Sequence, residues 1–147
     1  MPDTGIDAIR ELLHAEPRPE GLDGRRKRLD RIGSAYPVAS DISFETGRIG
    51  DLPIEWSLAP GSDASRVLLY FHGGGYSSGS IASHRGMVVE AGRAAGVRTL
   101  AVGYRLAPEN TFPAALEDAR AAYAFLLEKG FAPPRIALGG DSAGGGL

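Results

Sequence analysis

The sequence contains no cysteine, which excludes a disulfide framework, a thiol nucleophile and a cysteine metal site. It also carries no excess of one charge, because 16 lysines and arginines are balanced by 18 aspartates and glutamates. A net charge of −2 gives no electrostatic argument for a nucleic-acid partner. These absences leave a nearly neutral chain of 147 residues, which is long enough for a domain with a hydrophobic core.

Long hydrophobic runs are missing as well. The longest aliphatic and aromatic run without alanine is Val67 to Phe71, far shorter than the roughly 20 residues that cross a membrane as a helix. Residues 1–7 have neither a basic start nor an apolar stretch of signal-peptide length. We therefore expect a soluble, cytoplasmic protein with no membrane partner.

Glycine, in contrast, is abundant: the chain has 21, and nine of them lie in the segments 73–79 and 139–146. This placement indicates turns with a function rather than disorder. A phosphate-binding loop needs a lysine after its last glycine, which is absent, and neither segment fits the dinucleotide-binding spacing G-x-G-x-x-G. The glycine clusters must therefore be explained by another chemistry.

The first part of the chain predicts two helices and a hairpin. Apolar residues at helical spacing predict an amphipathic helix over 4–15, with Thr4 as its N-cap, and a second helix over about 21–33. The second helix carries the basic run 25–28, which is typical of a solvated helix face; a contact with an anion or a membrane is the alternative. Alternating apolar residues between 42 and 58 predict the hairpin.

From residue 66 onward, continuous apolar runs alternate with helical stretches, a pattern typical of a parallel sheet covered by helices on both faces. The predicted elements are strand 67–71, helix 81–95, strand 99–104, a helix from Pro113 to Gly130, and strand 135–139. The last helix is expected to bury Leu116, Ala119, Tyr123 and Leu126. The last strand is predicted to be buried.

The motif Gly140-x-Ser142-x-Gly144 follows that last strand. In a nucleophile elbow, a sharp strand-to-helix turn exposes a serine hydroxyl and holds it in a sparsely populated backbone conformation. The residues two before and two after the serine are crowded, so that only glycine fits there. If Ala143 opens a helix, its N–H is directed at a developing anion.

A second motif, His72-Gly73-Gly74-Gly75, directly follows strand 67–71. Hydrolases with a nucleophile elbow take their oxyanion-hole amides from the residue after the serine and from a loop after an earlier strand. A flexible surface loop is the alternative for this segment taken alone. Because both motifs follow their own parallel strands in the required order, they favour acyl-transfer chemistry.

Four segments together resemble the bacterial hormone-sensitive-lipase-like (family IV) esterases, which have the α/β-hydrolase fold. They are His72 to Gly75, Tyr104 to Glu109, Phe112 to Asp118 and Gly140 to Gly145. The resemblance implies a mostly parallel sheet with helices on both faces. It also implies N-terminal cap helices over 1–35, and the N-terminal half of the catalytic domain over 36–147.

The resemblance further implies a carboxylic ester hydrolase that acts on small esters and needs no metal or cofactor. Ser142 is then the nucleophile, and the amides of Gly73, Gly74 and Ala143 form the oxyanion hole. The remaining motif residues support these groups: His72, Gly75, Gly140, Asp141 and Gly144.

The chain departs from the family in one large respect. In this fold the catalytic acid and histidine follow the serine, whereas His14, His72 and His84 all precede Ser142. We therefore expect the chain to be truncated at the elbow, with the acid and the histidine supplied by a complementing C-terminal half or a second chain. Without this complementing part, the last strand would be an exposed apolar edge.

Two other functions remain open. One is a non-catalytic ligand-binding module, as in the plant gibberellin receptors that resemble this family, and the other is an inert fragment.

Several other residues are expected to have structural roles. The segment Tyr104 to Glu109 is expected to fix the loop after its strand, with Arg105 and Glu109 paired. Asp118 is expected to lie on a helix surface or to form hydrogen bonds, and His14 to be exposed. A place in the pocket is the less favoured alternative for His84.

Overall fold

The computed structural model describes residues 5–15 and 17–147 and shows five strands, five α-helices and one 3-10 turn among them. Thr4, the predicted N-cap of the first helix, lies outside the described residues. No helix in the described part of the chain is long and apolar enough to cross a membrane. In chain order the elements are α1 (Ile6–Ala15), α2 (Leu22–Ser34), β1 (Ser43–Ile49), β2 (Leu52–Leu58), β3 (Asp63–Phe71), α3 (Ile81–Ala95), β4 (Val97–Val102), α4 (Ala114–Glu128), the 3-10 turn (Pro133–Arg135), β5 (Ile136–Gly140) and α5 (Ala143–Gly146).

The strands form one mixed sheet in the order β1-β2-β4-β3-β5. The hairpin β1–β2 is antiparallel and joins β4 in an antiparallel pairing, whereas β3 pairs in parallel with both β4 and β5. At the carboxyl edge, Phe71 lies opposite both Val102 and Gly140. The loop after β3 and the turn after β5 therefore start side by side, which brings the two glycine motifs to the same edge.

The carboxyl-terminal parts of β3 and β4 are mostly apolar and buried, since both of their faces are covered. Leu69 on β3 and Leu100 on β4 are fully buried and pack in one cluster with Leu126 of α4. On the opposite face, Tyr70 of β3 packs with Val88 of α3. The predicted α/β-hydrolase fold, with helices on both faces of a mostly parallel sheet, is confirmed.

Two predictions of burial are wrong. Leu116 is 41% exposed, although Ala119 and Leu126 on the same helix are buried as predicted and Tyr123 is half-buried. Leu138 in β5 is 66% exposed. The reason is that β5 has a hydrogen-bonded partner strand on one side only among the described residues. The exposed leucine instead agrees with the expectation that the last strand is an apolar edge.

The basic run on α2 does not form a uniformly solvated face, because Arg26 attaches the helix to two loops of the domain. Its guanidinium donates to the carbonyl of Ser77 at 2.8 Å and to that of Ala107 at 2.9 Å. It also forms two hydrogen bonds of 2.8 Å with the carboxylate of Glu109. The predicted pair between Arg105 and Glu109 is therefore wrong.

Arg105 instead binds α4. Its backbone N–H donates to the carboxylate of Asp118 at 2.7 Å, and its guanidinium donates to the carboxylates of both Asp118 and Glu117 at 2.9 Å. Asp118 is only 7% exposed, so it acts as a buried acceptor that fixes the loop after β4. Of the two roles expected for Asp118, hydrogen bonding is the one observed.

The pairing of Glu109 predicts an acid-sensitive contribution to stability. The Arg26 guanidinium lowers the pKa of Glu109 from 4.5 to about 2. A carboxylate with a lowered pKa stabilises the folded state above its unfolded pKa, and this contribution is lost as the pH falls from 4.5 towards 2. We expect the wild-type chain to be more stable than Glu109→Gln at neutral pH, and this difference to disappear near pH 2.

Urea denaturation across this pH range measures the difference. Glu128→Gln is the control, because Glu128 is exposed at the end of α4 and has no ionic partner in the described part of the chain. A difference between wild type and Glu109→Gln that stays constant with pH would show that the ion pair is not its source.

Candidate active site

Ser142 occupies the turn between β5 and α5. Its backbone angles are φ 49° and ψ −118°, and it is one of two non-glycine residues with positive φ in the described chain. Its side chain is exposed and has no hydrogen bond to any described residue. The predicted exposed serine in a sparsely populated backbone conformation is thus confirmed.

The glycines around Ser142 are required by close backbone contacts. A Cβ on Gly144 would lie 2.0 Å from the carbonyl oxygen of Phe71 and 2.6 Å from that of His72, both backbone atoms at the end of β3. A Cβ on Gly140 would lie 2.4 Å from the carbonyl carbon of Gly144. The turn therefore packs directly against the carboxyl end of β3.

His72 anchors the start of the glycine loop. It is only 3% exposed, and its ring stacks on that of Tyr104 with a centroid distance of 4.3 Å. The Tyr104 hydroxyl donates to the carbonyl of His72 at 2.7 Å, and Nδ1 of His72 lies 2.7 Å from the carbonyl oxygen of Gly73. Burial lowers the pKa of His72. This buried, neutral imidazole is a structural support rather than a general base.

Beyond His72 the loop turns sharply at Gly74. Its φ of 124° is in the region that favours glycine, and a Cβ there would lie 2.1 Å from the carbonyl oxygen of Ser78. The N–H groups of Ser77 and Ser78 donate to the carbonyl of Gly74 at 3.2 and 3.0 Å. The loop is therefore a hydrogen-bonded turn, which does not fit the alternative of a flexible surface loop. Gly75, next in the motif, also has a positive φ, 63°, and is exposed.

Asp141 joins the two motifs. Its Oδ1 accepts hydrogen bonds from the N–H of Gly73 at 2.9 Å and from the hydroxyl of Tyr70 at 3.2 Å. Burial and the neighbouring carboxylate raise the pKa of Tyr70 to about 12. This bridge fixes the glycine loop relative to the turn that carries Ser142.

Sequence reasoning placed Asp141 among the motif residues but did not predict this bridge. Two features of the sequence could have indicated it. Asp141 directly precedes the serine, and the glycine motif that starts at His72 offers backbone N–H groups that a carboxylate can accept from. Asp141 lies 68 residues after Gly73, so only the sheet order brings the two together.

The three histidines have no hydrogen bond with Ser142 in the structure as described. Nε2 of His84 lies 3.4 Å from Oδ2 of Asp141, and its Nδ1 lies 2.8 Å from the hydroxyl of Ser83. His84 therefore lies behind the turn, against the same carboxylate that holds the glycine loop. His14 is exposed on α1, as expected.

Two backbone donors near the serine are unoccupied. The N–H of Gly73 is bonded to Asp141, whereas the N–H groups of Gly74 and Ala143 have no acceptor among residues 5–15 and 17–147. Within those residues, no three His, Asp or Glu side chains are grouped so that they could hold a metal ion. The arrangement places an exposed serine hydroxyl near two unoccupied amide donors, which are two of the components that acyl transfer to a serine uses.

Comparisons with known proteins agree with this geometry. Residues 68–147 match the family described as having the alpha/beta hydrolase fold. The chain is 42% identical over 149 aligned residues to an acetyl-hydrolase of Streptomyces hygroscopicus, covering 100% of this chain and 50% of that protein. It is 40% identical to a carboxylic ester hydrolase of Mycobacterium tuberculosis, covering 97% of this chain and 43% of that protein.

Solved structures give the same result. A crystal structure of an esterase from the bacterial hormone-sensitive lipase family is 48% identical and superposes with a TM-score of 0.87, covering 96% of this chain and 47% of that one. The chain thus spans about half the length of the relatives that it matches. It belongs to the α/β-hydrolase-fold family, and it is similar to esterases of the bacterial hormone-sensitive lipase family.

Proposed function

We propose that this chain is the nucleophile-bearing, N-terminal half of a carboxylic ester hydrolase. The observation that carries the proposal is the exposed Ser142 at φ 49°, held against the glycine loop by the hydrogen bond between Asp141 and Gly73. The relatives, among them an acetyl-hydrolase and a carboxylic ester hydrolase, support an ester substrate. We expect small esters with short to medium acyl chains.

In the proposed reaction, Ser142 Oγ attacks the ester carbonyl carbon as its proton passes to a histidine outside this chain. The carbonyl oxygen becomes an anion, which accepts hydrogen bonds from the N–H groups of Gly74 and Ala143. Preorganised amides of this kind stabilise charge that develops in the transition state. Gly73 would join them only if its hydrogen bond to Asp141 were exchanged.

The tetrahedral intermediate then collapses. The alcohol leaves with the proton from the histidine, and the acyl group stays on Ser142 as an ester. Water, deprotonated by the same histidine, then attacks the acyl carbon. The bond between this carbon and Ser142 Oγ breaks, Oγ takes the proton back from the histidine, and the carboxylic acid leaves. No histidine in the described residues is bonded to Ser142, so we assign the base and its orienting carboxylate to a complementing C-terminal half.

The sheet supports such a complement. Strand β5 carries the serine turn, yet it has a partner strand on one side only among the described residues. Leu138 on this strand is 66% exposed. A complementing C-terminal half that covers β5 would bury the Leu138 side chain. It would also bring the histidine base to the edge of the sheet that carries Ser142. We propose that residues 1–35 form part of a cap, because Arg26 on α2 attaches this segment next to the glycine loop.

Active-site labelling tests the proposed function. We would join the chain after Leu147 to the C-terminal half of the Streptomyces hygroscopicus acetyl-hydrolase; we call this protein the complemented chain. Both it and the 147-residue chain are treated with an organophosphate ester, and the adduct is located by peptide mass mapping. We expect stoichiometric modification of Ser142 in the complemented chain and little or none in the chain alone, because a serine without its base loses several orders of magnitude in reactivity.

A folded complemented chain without an adduct on Ser142 would contradict the proposal. It would leave the ligand-binding module or the inert fragment. Rapid modification of the chain alone would show that the base lies within residues 1–147, and it would refute the assignment of the base to the complementing half.

A further inference from the structure

We propose that a basic cavity next to the glycine loop binds an anionic group of the ester substrate, a carboxylate or a phosphate. This inference rests on the proposed esterase function and narrows its substrates to esters that carry a negative charge near the reacting carbonyl. The cavity has a volume of about 420 Å³ and is formed between α2 and the loop after β3.

The two walls of the cavity differ in chemistry. One wall is formed by three arginines, Arg25 and Arg28 of α2 and Arg18 before it. The facing wall includes Gly74 and Gly75, which bring backbone rather than side chains. None of the described residues that line the cavity is acidic.

Two of the arginines that line the cavity, Arg18 and Arg25, differ from arginines elsewhere in the protein because neither forms an ion pair with a carboxylate among the described residues. Arg26, on the same helix, is paired with Glu109, and Arg85 is paired with Glu55. In contrast, Arg18 has no ionic partner among the described residues, and Arg25 donates to the carbonyl of Pro19 at 3.1 Å rather than to a carboxylate. At least two guanidinium groups are therefore available to an anion.

A planar guanidinium binds carboxylate and phosphate oxygens through paired hydrogen bonds, which are stronger than those between neutral groups. Apolar side chains of Leu22 and Leu29 complete the cavity and suit a short carbon chain. The sequence of the basic run favours a solvated face. The cavity favours a small anion because the arginines line a concave site, whereas Lys27 of the same run is exposed and lies outside it.

The position of the cavity connects it to the proposed reaction. Gly74 lines it, and the N–H of the same residue is a proposed donor to the oxyanion. A substrate whose carbonyl oxygen lies against Gly74 can therefore extend a charged group towards Arg25. Such a substrate is a monoester of a dicarboxylic acid, or an ester whose alcohol carries a carboxylate or a phosphate.

Matched ester pairs test the inference on the complemented chain. The acyl side is tested with the para-nitrophenyl monoester of succinic acid against para-nitrophenyl butyrate, and the alcohol side with para-acetoxybenzoate against para-tolyl acetate. We expect Arg25→Gln to lower kcat/KM about tenfold for the anionic member of at least one pair, and to leave the neutral members unchanged. Lys27→Gln, on the same helix but outside the cavity, is the charge-matched control.

Two further measurements keep the inference testable if Arg25→Gln does not fold. Arg18→Gln should show the same selective loss, and higher salt should weaken only the anionic substrates in the wild-type protein, since salt screens exposed charges. Inorganic phosphate should inhibit the wild-type protein competitively and the arginine variants less.

Equal effects of Arg25→Gln and Lys27→Gln on all four esters would overturn the inference while leaving the esterase function intact. If the complemented wild-type chain hydrolyses none of the four esters, the proposed esterase function fails, and this result does not decide whether the cavity binds an anion. Titration with methyl hydrogen succinate then decides the subsite, followed through the amide resonances of Gly74 and Gly75. Shifts that Arg25→Gln abolishes support the subsite, and their absence in the wild-type protein refutes it.

Discussion

Replacing Ser142 with alanine is expected to lower kcat of the complemented chain for para-nitrophenyl acetate by a factor on the order of 10⁴ or more. The hydroxyl is the proposed nucleophile, and the substitution removes the atom that forms the acyl-enzyme. The amide donors of Gly74 and Ala143 stay in place, so a small residual rate above the uncatalysed reaction is expected. The same variant should lose organophosphate labelling completely.

The control for this substitution is Ser34→Ala. Ser34 is exposed at the end of α2, where its hydroxyl donates to the carbonyl of Asp30 at 2.7 Å. It should leave kcat unchanged. A Ser142→Ala protein that is folded and retains the wild-type rate would show that this serine does not form the covalent intermediate, whatever its backbone geometry.

Gly144→Ala is expected to destabilise the folded state by about 3 kcal/mol, at the upper end of the usual cost of overpacking. The added Cβ would lie 2.0 Å from the carbonyl oxygen of Phe71 and 2.6 Å from that of His72. Both are backbone atoms at the end of the central strand β3, so that they cannot move aside as a flexible side chain can. Since relief requires the elbow to shift away from β3, catalysis should fall together with stability.

Gly145→Ala, one residue later in the same short helix, is the matched control. Its Cβ would come no nearer than 3.2 Å to the carbonyl oxygen of Gly140, and the residue is exposed. Urea denaturation of the two complemented variants should therefore show a much larger loss of free energy of unfolding for Gly144→Ala. Equal losses would mean that the close approach of the turn to β3 is not what requires glycine at position 144.

The nucleophile turn was predictable because its requirements are local. A serine between glycines at fixed spacing after an apolar strand needs the backbone angles that Ser142 adopts, and this need is visible in a short segment. The placement of the glycine loop beside it followed from the order of the strands. The parallel pairing of β3 with β5 then confirms that both motifs end at one edge of the sheet.

The ion pairs were not predictable in the same way. Arg105 and Glu109 are four residues apart, which suggested a local pair, yet Arg105 binds Asp118 and Glu109 binds Arg26 from the distant helix α2. Charged side chains have many possible partners at similar energies. The packing of the helices onto the sheet decides which partner lies within reach.

The sequence by itself determined the order of helices and strands, the serine turn and the glycine loop, because apolar periodicity and the conformational needs of glycine act over a few residues. The tertiary structure decided which groups meet across long separations in the chain. Asp141 binds Gly73, Arg26 attaches α2 to two loops, and three arginines line a cavity beside Gly74. These contacts depend on how whole elements pack, and no local pattern specifies the packing.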